Sequence, residues 1–267
     1  MDKLMEEVNR WPVVILCGGK GTRLREETEF KPKPMVEVGG MPILLHIMKT
    51  YAKYGQKRFI LALGYKGDMI KEYFHSREFM DHDVTMNLAD RSQDKIHANN
   101  SNSYNWEITF ANTGLEASTG ARIKKIEKYV DTGHFFLTYG DGVADIDIEK
   151  LAKFHLEQGR HATLSGVRPP ARFGLMELEG NMVKKFREKP IIDEYVNGGF
   201  FVFSKNLFKY LSDDDSCTLE KEPLHNLATE GQLSIFRHDG FWHMMDNYKD
   251  YLDLNKLWDL NTAPWKV

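Results

Sequence analysis

Val13-Val14-Ile15-Leu16-Cys17-Gly18-Gly19-Lys20-Gly21-Thr22-Arg23-Leu24, followed by Lys31-Pro32-Lys33-Pro34-Met35, is the stretch whose reading decides the fold. It begins with a short apolar run between Pro12 and a pair of glycines. Such a run reads as a strand buried on both faces, the kind found in parallel sheets. The strand opens into a loop in which Gly18, Gly19 and Gly21 occupy three of four positions. Glycine lets backbone N–H groups approach a ligand closely, and consecutive N–H groups form a concavity for phosphate oxygens. Lys20, Arg23, Lys31 and Lys33 add four positive charges beside those donors. Together these features point to a polyphosphate site, against the plainer alternative of a tight turn with solvated charges. Gly21-Thr22-Arg23 does not supply the Gly-Lys-Ser/Thr ending of a Walker loop. Leu24 stands where a dinucleotide fingerprint needs a third Gly or Ala.

Outward from this stretch, the pattern alternates. Apolar positions at helical spacing (Ile43, Leu44, Ile47, Met48, Tyr51) predict a helix over 42–54, opened by Pro42 and ended by Gly55. Lys57 to Leu63 reads as a second buried strand and Met69 to Phe79 as a second helix. Strand–helix alternation of this kind predicts an α/β fold with a doubly wound, mostly parallel sheet, and ligands bound at the carboxyl ends of its strands. His134 to Tyr139, His161 to Val167 and Val196 to Phe203 continue the strands. Ile148 to Gln158, Glu222 to Glu230 and Asn247 to Leu260 continue the helices. Leu175 to Leu178 and the alternating Val183 to Pro190 predict a small additional β region, at an edge or half exposed. Asp81 to Tyr104 is polar, and Asn99-Asn100-Ser101-Asn102-Ser103 reads as a loop tip. This stretch is either a solvated excursion or a lid or subunit contact.

Composition sets the outer limits. A chain of 267 residues with 42% hydrophobic content suits a single domain over 1–267, with an N-terminal extension over 1–11 and a polar insertion loop at about 91–105. The formal net charge of −3 argues against an electrostatic nucleic-acid binder. No run is long and apolar enough for a membrane span, and Met1 to Arg10 reads as a short helix or frayed end rather than a signal peptide. Cys17 and Cys217 lie too far apart in sequence to suggest a disulfide framework, which fits a reducing cytoplasm.

Asp141 follows the strand 134–139 and is flanked by Gly140 and Gly142. An acid at the end of a central strand suits one arm of a magnesium site, the alternative being an Asx turn. Asp145 and Asp147 read as turn and helix-cap residues. Ser118 or Thr119 caps the helix that carries Arg122, or lines a phosphate site at that helix start.

These elements coincide with a known pattern. Gly18-Gly19-Lys20-Gly21-Thr22-Arg23-Leu24 with Lys31-Pro32-Lys33-Pro34-Met35 resembles the signature of sugar-1-phosphate nucleotidyltransferases, and the spacing of its halves resembles the glucose-1-phosphate cytidylyltransferase branch. The resemblance continues through Tyr139-Gly140-Asp141-Gly142, Pro169-Pro170-Ala171-Arg172-Phe173-Gly174, Glu188-Lys189-Pro190, Asn197-Gly198-Gly199 and Met245-Asp246, in that order. It implies a Rossmann-like nucleotidyltransferase fold that transfers a nucleotidyl group from a nucleoside triphosphate, CTP favoured, to a sugar 1-phosphate, glucose 1-phosphate favoured. It further implies catalytic roles for Arg23, Lys33 and Asp141. Leu16, Gly18, Gly19, Gly21, Thr22, Arg23, Lys33, Thr119, Arg122 and Gly140 would bind the nucleotide. Gly174, Glu188, Lys189, Asn197 and Gly198 would bind the sugar phosphate, although Glu188 and Lys189 by themselves read equally as a solvated pair. Asp141 and Asp246 would hold Mg2+, and the family likeness implies a homo-oligomer. A sister enzyme with another base or phosphorylated sugar or polyol, and a non-catalytic nucleotide-sugar binder, are the competing readings. The joint presence of Arg23, Lys33, Asp141 and Asp246 argues against the binder, which has no need of both acids.

Overall fold

The computed structural model describes residues 3–80, 82–97 and 104–267. Among these, seven strands form the central sheet: β1 (Val13–Cys17), β2 (Arg58–Leu63), β3 (Glu107–Asn112), β4 (His134–Tyr139), β5 (Ala162–Val167), β6 (Val196–Ser204) and β7 (Leu233–Arg237). Their order across the sheet is β7-β5-β6-β4-β1-β2-β3. β1 pairs in parallel with both β2 and β4. β6 runs antiparallel to both its neighbours, β4 and β5. The sheet is therefore mostly parallel, and its order reverses direction at β1, the switch point where an α/β sheet opens a crevice.

Alternation explains why β1 is apolar throughout. Val13, Ile15 and Cys17 pack on one face with Ile43, Leu44, Ile47, Met48, Leu151 and Leu254. Val14 and Leu16 pack on the other with Ile123, Ile126, Phe201, Phe203, Leu207 and Leu227. Helices cover both faces, so neither set of side chains reaches water. Burial of each such Val, Ile or Leu side chain is worth about 1.5–3 kcal/mol.

The helices Ile43–Ala52, Ile148–Gln158 and Tyr248–Asp259 lie where the periodicity places them. Asp147 caps Ile148–Gln158 by accepting from Lys150 N, and Gly159 closes it in the left-handed region. Asn247 and Asp250 form a capping box at Tyr248–Asp259. Asp145, expected in a turn or cap, instead pairs with His238 Nε2 at 3.1 Å. The N-terminal stretch forms a helix, Lys3–Val8.

Two regions depart from expectation. The polar stretch after Met80 carries a small antiparallel pair, Asp83–Thr85 with Lys95–His97, because Asp90, Asn87 and Asp94 bind the connecting backbone. The expected loop tip, 99–103, lies outside the described residues. The second region is the hairpin Leu175–Glu179 with Met182–Arg187. It is not half exposed: both faces meet water, leaving Met176, Leu178, Met182 and Phe186 between 57% and 66% exposed.

Candidate active site

The loops that follow β1, β2, β3 and β4 all emerge at one edge of the sheet, because those strands are parallel. β6 contributes there by its beginning, since it runs the other way; this brings Asn197 and Gly198 to the same edge. A cleft of about 480 Å³ opens between the loops after β1 and β4, lined by Leu16, Gly18, Gly19, Gly21, Thr22, Arg23, Lys33, Thr119, Arg122, Tyr139, Gly140 and Asp141, among others. All the residues expected at the nucleotide lie in this wall.

The glycines of the first loop have separate causes. Gly21 sits at φ +63, where a side chain is disfavoured, and turns the chain toward Lys33. Gly18 is required by packing: a Cβ there would lie 2.2 Å from the Arg122 guanidinium. That guanidinium is buried and donates to Thr113 Oγ1 (2.7 Å), Gly114 O (2.7 Å), Gly18 O (3.1 Å), Leu115 O (3.2 Å) and Leu63 O (3.3 Å). Arg122 thus ties the loops after β1 and β3 to the end of β2. Burial, the largest influence, lowers its pKa, with Asp215, Cys17 and Glu116 opposing. Its expected contact with a triphosphate is joined by this bracing role, which sequence spacing does not reveal.

Lys33 is the centre of the charged cluster. Its Nζ donates to Asp141 Oδ2 at 2.6 Å and to Asp246 Oδ1 at 3.0 Å. Arg23 NH1 donates to Asp246 Oδ2 at 2.9 Å, and Arg172 NH2 stands 3.6 Å from the same oxygen. The acids are 105 positions apart in sequence, and a short ribbon brings them together. Gly142–Ala144 pairs antiparallel with Trp242–Met244, and Met245 N donates to Asp141 O at 2.8 Å. Burial pushes the Asp246 carboxyl up, but the hydrogen bond from Lys33 and the charges of Lys33, Arg23 and Arg172 outweigh it and hold the group below the usual carboxylate range. Burial first and the Asp141 charge second push the Cys17 thiol up, with Arg122 opposing.

The acid pair fits a small hard cation. Asp141 Oδ1 is buried and has no hydrogen-bond partner, an oxygen that a divalent ion would satisfy. Among the described residues no group of three or more His, Cys, Asp or Glu side chains gathers as a metal cage. Magnesium does not need one, since it fills its octahedron with phosphate and water oxygens beside one or two carboxylates.

The residues expected at the sugar phosphate are more dispersed. Glu188 and Lys189 stand at the root of the hairpin, 3.7 Å apart and mostly exposed. Glu188 Oε2 lies beside Gly174, 3.1 Å from where a Cβ would be. Asn197 Nδ2 donates to Tyr139 Oη at 3.3 Å, and Gly198 O accepts from Trp242 Nε1 at 2.7 Å. Tyr139 Oη donates to Glu220, which also accepts from Thr119 Oγ1 at 2.6 Å. Tyr139, Glu220 and Arg172 are site groups that the sequence reading did not assign. Arg172 was quoted only as part of a motif, and nothing in the neighbourhood of Glu220 signals its contacts.

A doubly wound sheet whose switch point holds a glycine loop and a lysine-bridged acid pair defines a class: α/β proteins that handle phosphoanions at the strand ends. The chain belongs to the nucleotidyl transferase family, whose profile matches residues 12–259. It is 46% identical over 256 residues to a glucose-1-phosphate cytidylyltransferase of Salmonella typhi, covering 95% of this chain and 98% of that one. The enzyme of the same name from Salmonella typhimurium matches equally, at 46% over 256 residues with the same coverage. Among solved structures, HddC from Yersinia pseudotuberculosis superposes with a TM-score of 0.67 at 25% identity, covering 93% of this chain and 99% of that one.

Proposed function

We propose that this protein transfers the cytidylyl group of CTP to glucose 1-phosphate, giving CDP-glucose and pyrophosphate. The observation that carries the reading is the Lys33 ammonium shared by Asp141 and Asp246 at the lip of the glycine-lined cleft. The full-length similarity to glucose-1-phosphate cytidylyltransferases supports the choice of base and sugar.

The chemistry follows from charge. A phosphate oxygen of the sugar 1-phosphate is already an anion, so attack on the α-phosphorus of the triphosphate needs no Ser, Cys or general base. The barrier lies in bringing two polyanions together and stabilising the leaving pyrophosphate. The amides of Gly18, Gly19 and Gly21, with Thr22, would cradle the triphosphate, while Leu16, Thr119 and Gly140 wall the nucleotide. Arg23 and Lys33 would move from the carboxylates onto the phosphates, with Arg122 keeping the loops in register beneath. Lys189 would hold the sugar phosphate, and Glu188, Asn197 and the backbone of Gly174 and Gly198 would orient the sugar hydroxyls. Asp141 and Asp246 would hold Mg2+, which would supply positive charge to offset that of the phosphates.

The two free thiols, Cys17 and Cys217, support work in a reducing cytoplasm. Among the described residues no helix is long and apolar enough to cross a membrane. The exposed apolar hairpin supports assembly with further copies of the chain, since a two-stranded ribbon is marginal alone.

The test is pyrophosphate release, converted to phosphate by pyrophosphatase, across a panel of nucleoside triphosphates and sugar phosphates. CTP with glucose 1-phosphate is expected to exceed every other pair. A faster pair with another base or sugar would replace the substrate assignment, and no release from any pair would overturn nucleotidyl transfer.

A further inference from the structure

Lys33, Arg23 and Arg172 place three cations against two carboxylates, one more than neutrality requires. They do not stand equally. Lys33 and Arg23 line the cleft, whereas Arg172 is not among its lining residues. Arg172 reaches Asp246 from another segment, the loop between the end of β5 and the hairpin, two residues from Gly174 and its neighbour Glu188. The root of that loop is anchored: Ala171 N donates to Pro190 O at 2.8 Å, Ile192 N to Pro169 O at 3.3 Å, and Pro170 bridges Ile191. Its side chain is 74% exposed, and among the described residues its ion pair is the long one of 3.6 Å to Asp246 Oδ2, an oxygen that Arg23 already occupies at 2.9 Å.

The geometry points to Arg172 as a ligand for the phosphate of the acceptor sugar 1-phosphate, parked on Asp246 until a divalent cation takes that carboxylate. The inference rests on the nucleotidyl-transfer reading and names a residue that reading leaves without a role. A guanidinium suits the task because its planar fork matches two oxygens of a phosphate. Its place on the loop that leads to Gly174, which Glu188 approaches, associates it with the segment that carries Glu188 and Lys189. Parking has a cost that can be measured. A cation resting on Asp246 competes with a metal for the same oxygen, so arginine and metal must weaken one another's hold by the same factor.

Two titrations on the full-length Arg172→Gln protein test this without relying on turnover. First, Mn2+ binding to the substrate-free protein, read from the electron paramagnetic resonance of free Mn2+, is expected to tighten by about threefold or more over wild type. Unchanged or weaker binding overturns the parking contact. Second, calorimetric binding of glucose 1-phosphate to the Mn2+-saturated protein is expected to weaken roughly tenfold, with CTP affinity within about twofold. An equal loss for both ligands, or no loss for the sugar phosphate, overturns the acceptor assignment. Arg172→Lys is expected to restore wild-type Mn2+ affinity while recovering only part of the sugar-phosphate affinity, because it keeps the charge and loses the fork. Both titrations read correctly if the turnover panel fails, so the failure of this inference and that of the proposed reaction are separate results.

Discussion

The glycine-loop cleft and the hairpin beyond Gly174 sit at the same edge of one sheet and are built by opposite means. The cleft is braced from below. Arg122 binds carbonyls of two loops and of the end of β2, β1 is buried on both faces, and Met245 clips one acid-bearing loop to the other. The hairpin has its ladder, exposed cross-strand ion pairs and the anchored root, and leaves Met176, Leu178, Met182 and Phe186 mostly in water. On the proposed function, the difference suits two tasks. A triphosphate needs donors held in place before it arrives, because stabilising charge on a leaving group works by preorganisation. An acceptor must enter and its product leave, which suits an element with little packing to lose.

That contrast can be broken at its strongest point. Arg122→Met removes the donors of several buried carbonyls at once, and a stability loss of about 4 kcal/mol is expected. Denaturant unfolding checks it, and a loss under about 1 kcal/mol would mean the loops stand without their brace. Lys33→Ala and Asp141→Asn are each expected to lower turnover by about a hundredfold or more, equivalent to about 2.7 kcal/mol, while the fold persists by circular dichroism. Turnover near wild type from either would sever the cleft from the chemistry.

Acid sharpens the comparison next. His46 and His155 are buried in the body, and burial is the largest influence lowering them, to about 4 and about 3 respectively. His134 and His161 add to the depression of His155. A folded-state pKa below the unfolded value of about 6.5 means that the unfolded chain binds more protons between the two values. Stability is therefore fully present above about pH 6.5 and falls as pH drops, by about 2 kcal/mol per histidine at pH 5. Thermal melts from pH 8 to pH 5 check the sign, and His155→Gln is expected to flatten the slope. The hairpin residues 175–187 contain no histidine and add nothing to it. Smallest of all, Met182→Ser or Phe186→Ser is expected to shift monomer stability by under about 0.5 kcal/mol, since these side chains are already solvated. A large loss, visible only at high protein concentration, would show the hairpin packed against another copy.

The readable parts of the chain are those with local causes. The all-apolar run 13–17 and the helix over 148–158 with its Asp147 cap follow from short-range patterning and appear in the structure with little change. Gly21 was legible as a turn because its positive φ is a local demand. Gly18 was legible as a glycine but not for its cause, since Arg122 lies 104 positions away. The alternation of 183–190 suggested an edge strand or one wet face; the strand is an edge of a two-stranded ribbon with both faces wet, because nothing in a strand's own sequence says whether another layer will cover it.

Sequence alone determined where glycines and cations cluster and where the strands run, because charge type and hydrophobic period are properties of short segments. Tertiary structure decided that Asp141 and Asp246 share one lysine, that Arg122 braces two loops against the end of β2, and that Arg172 reaches Asp246. Each of these contacts joins distant parts of the chain, and only the order and direction of strands across the sheet brings such parts within hydrogen-bonding range.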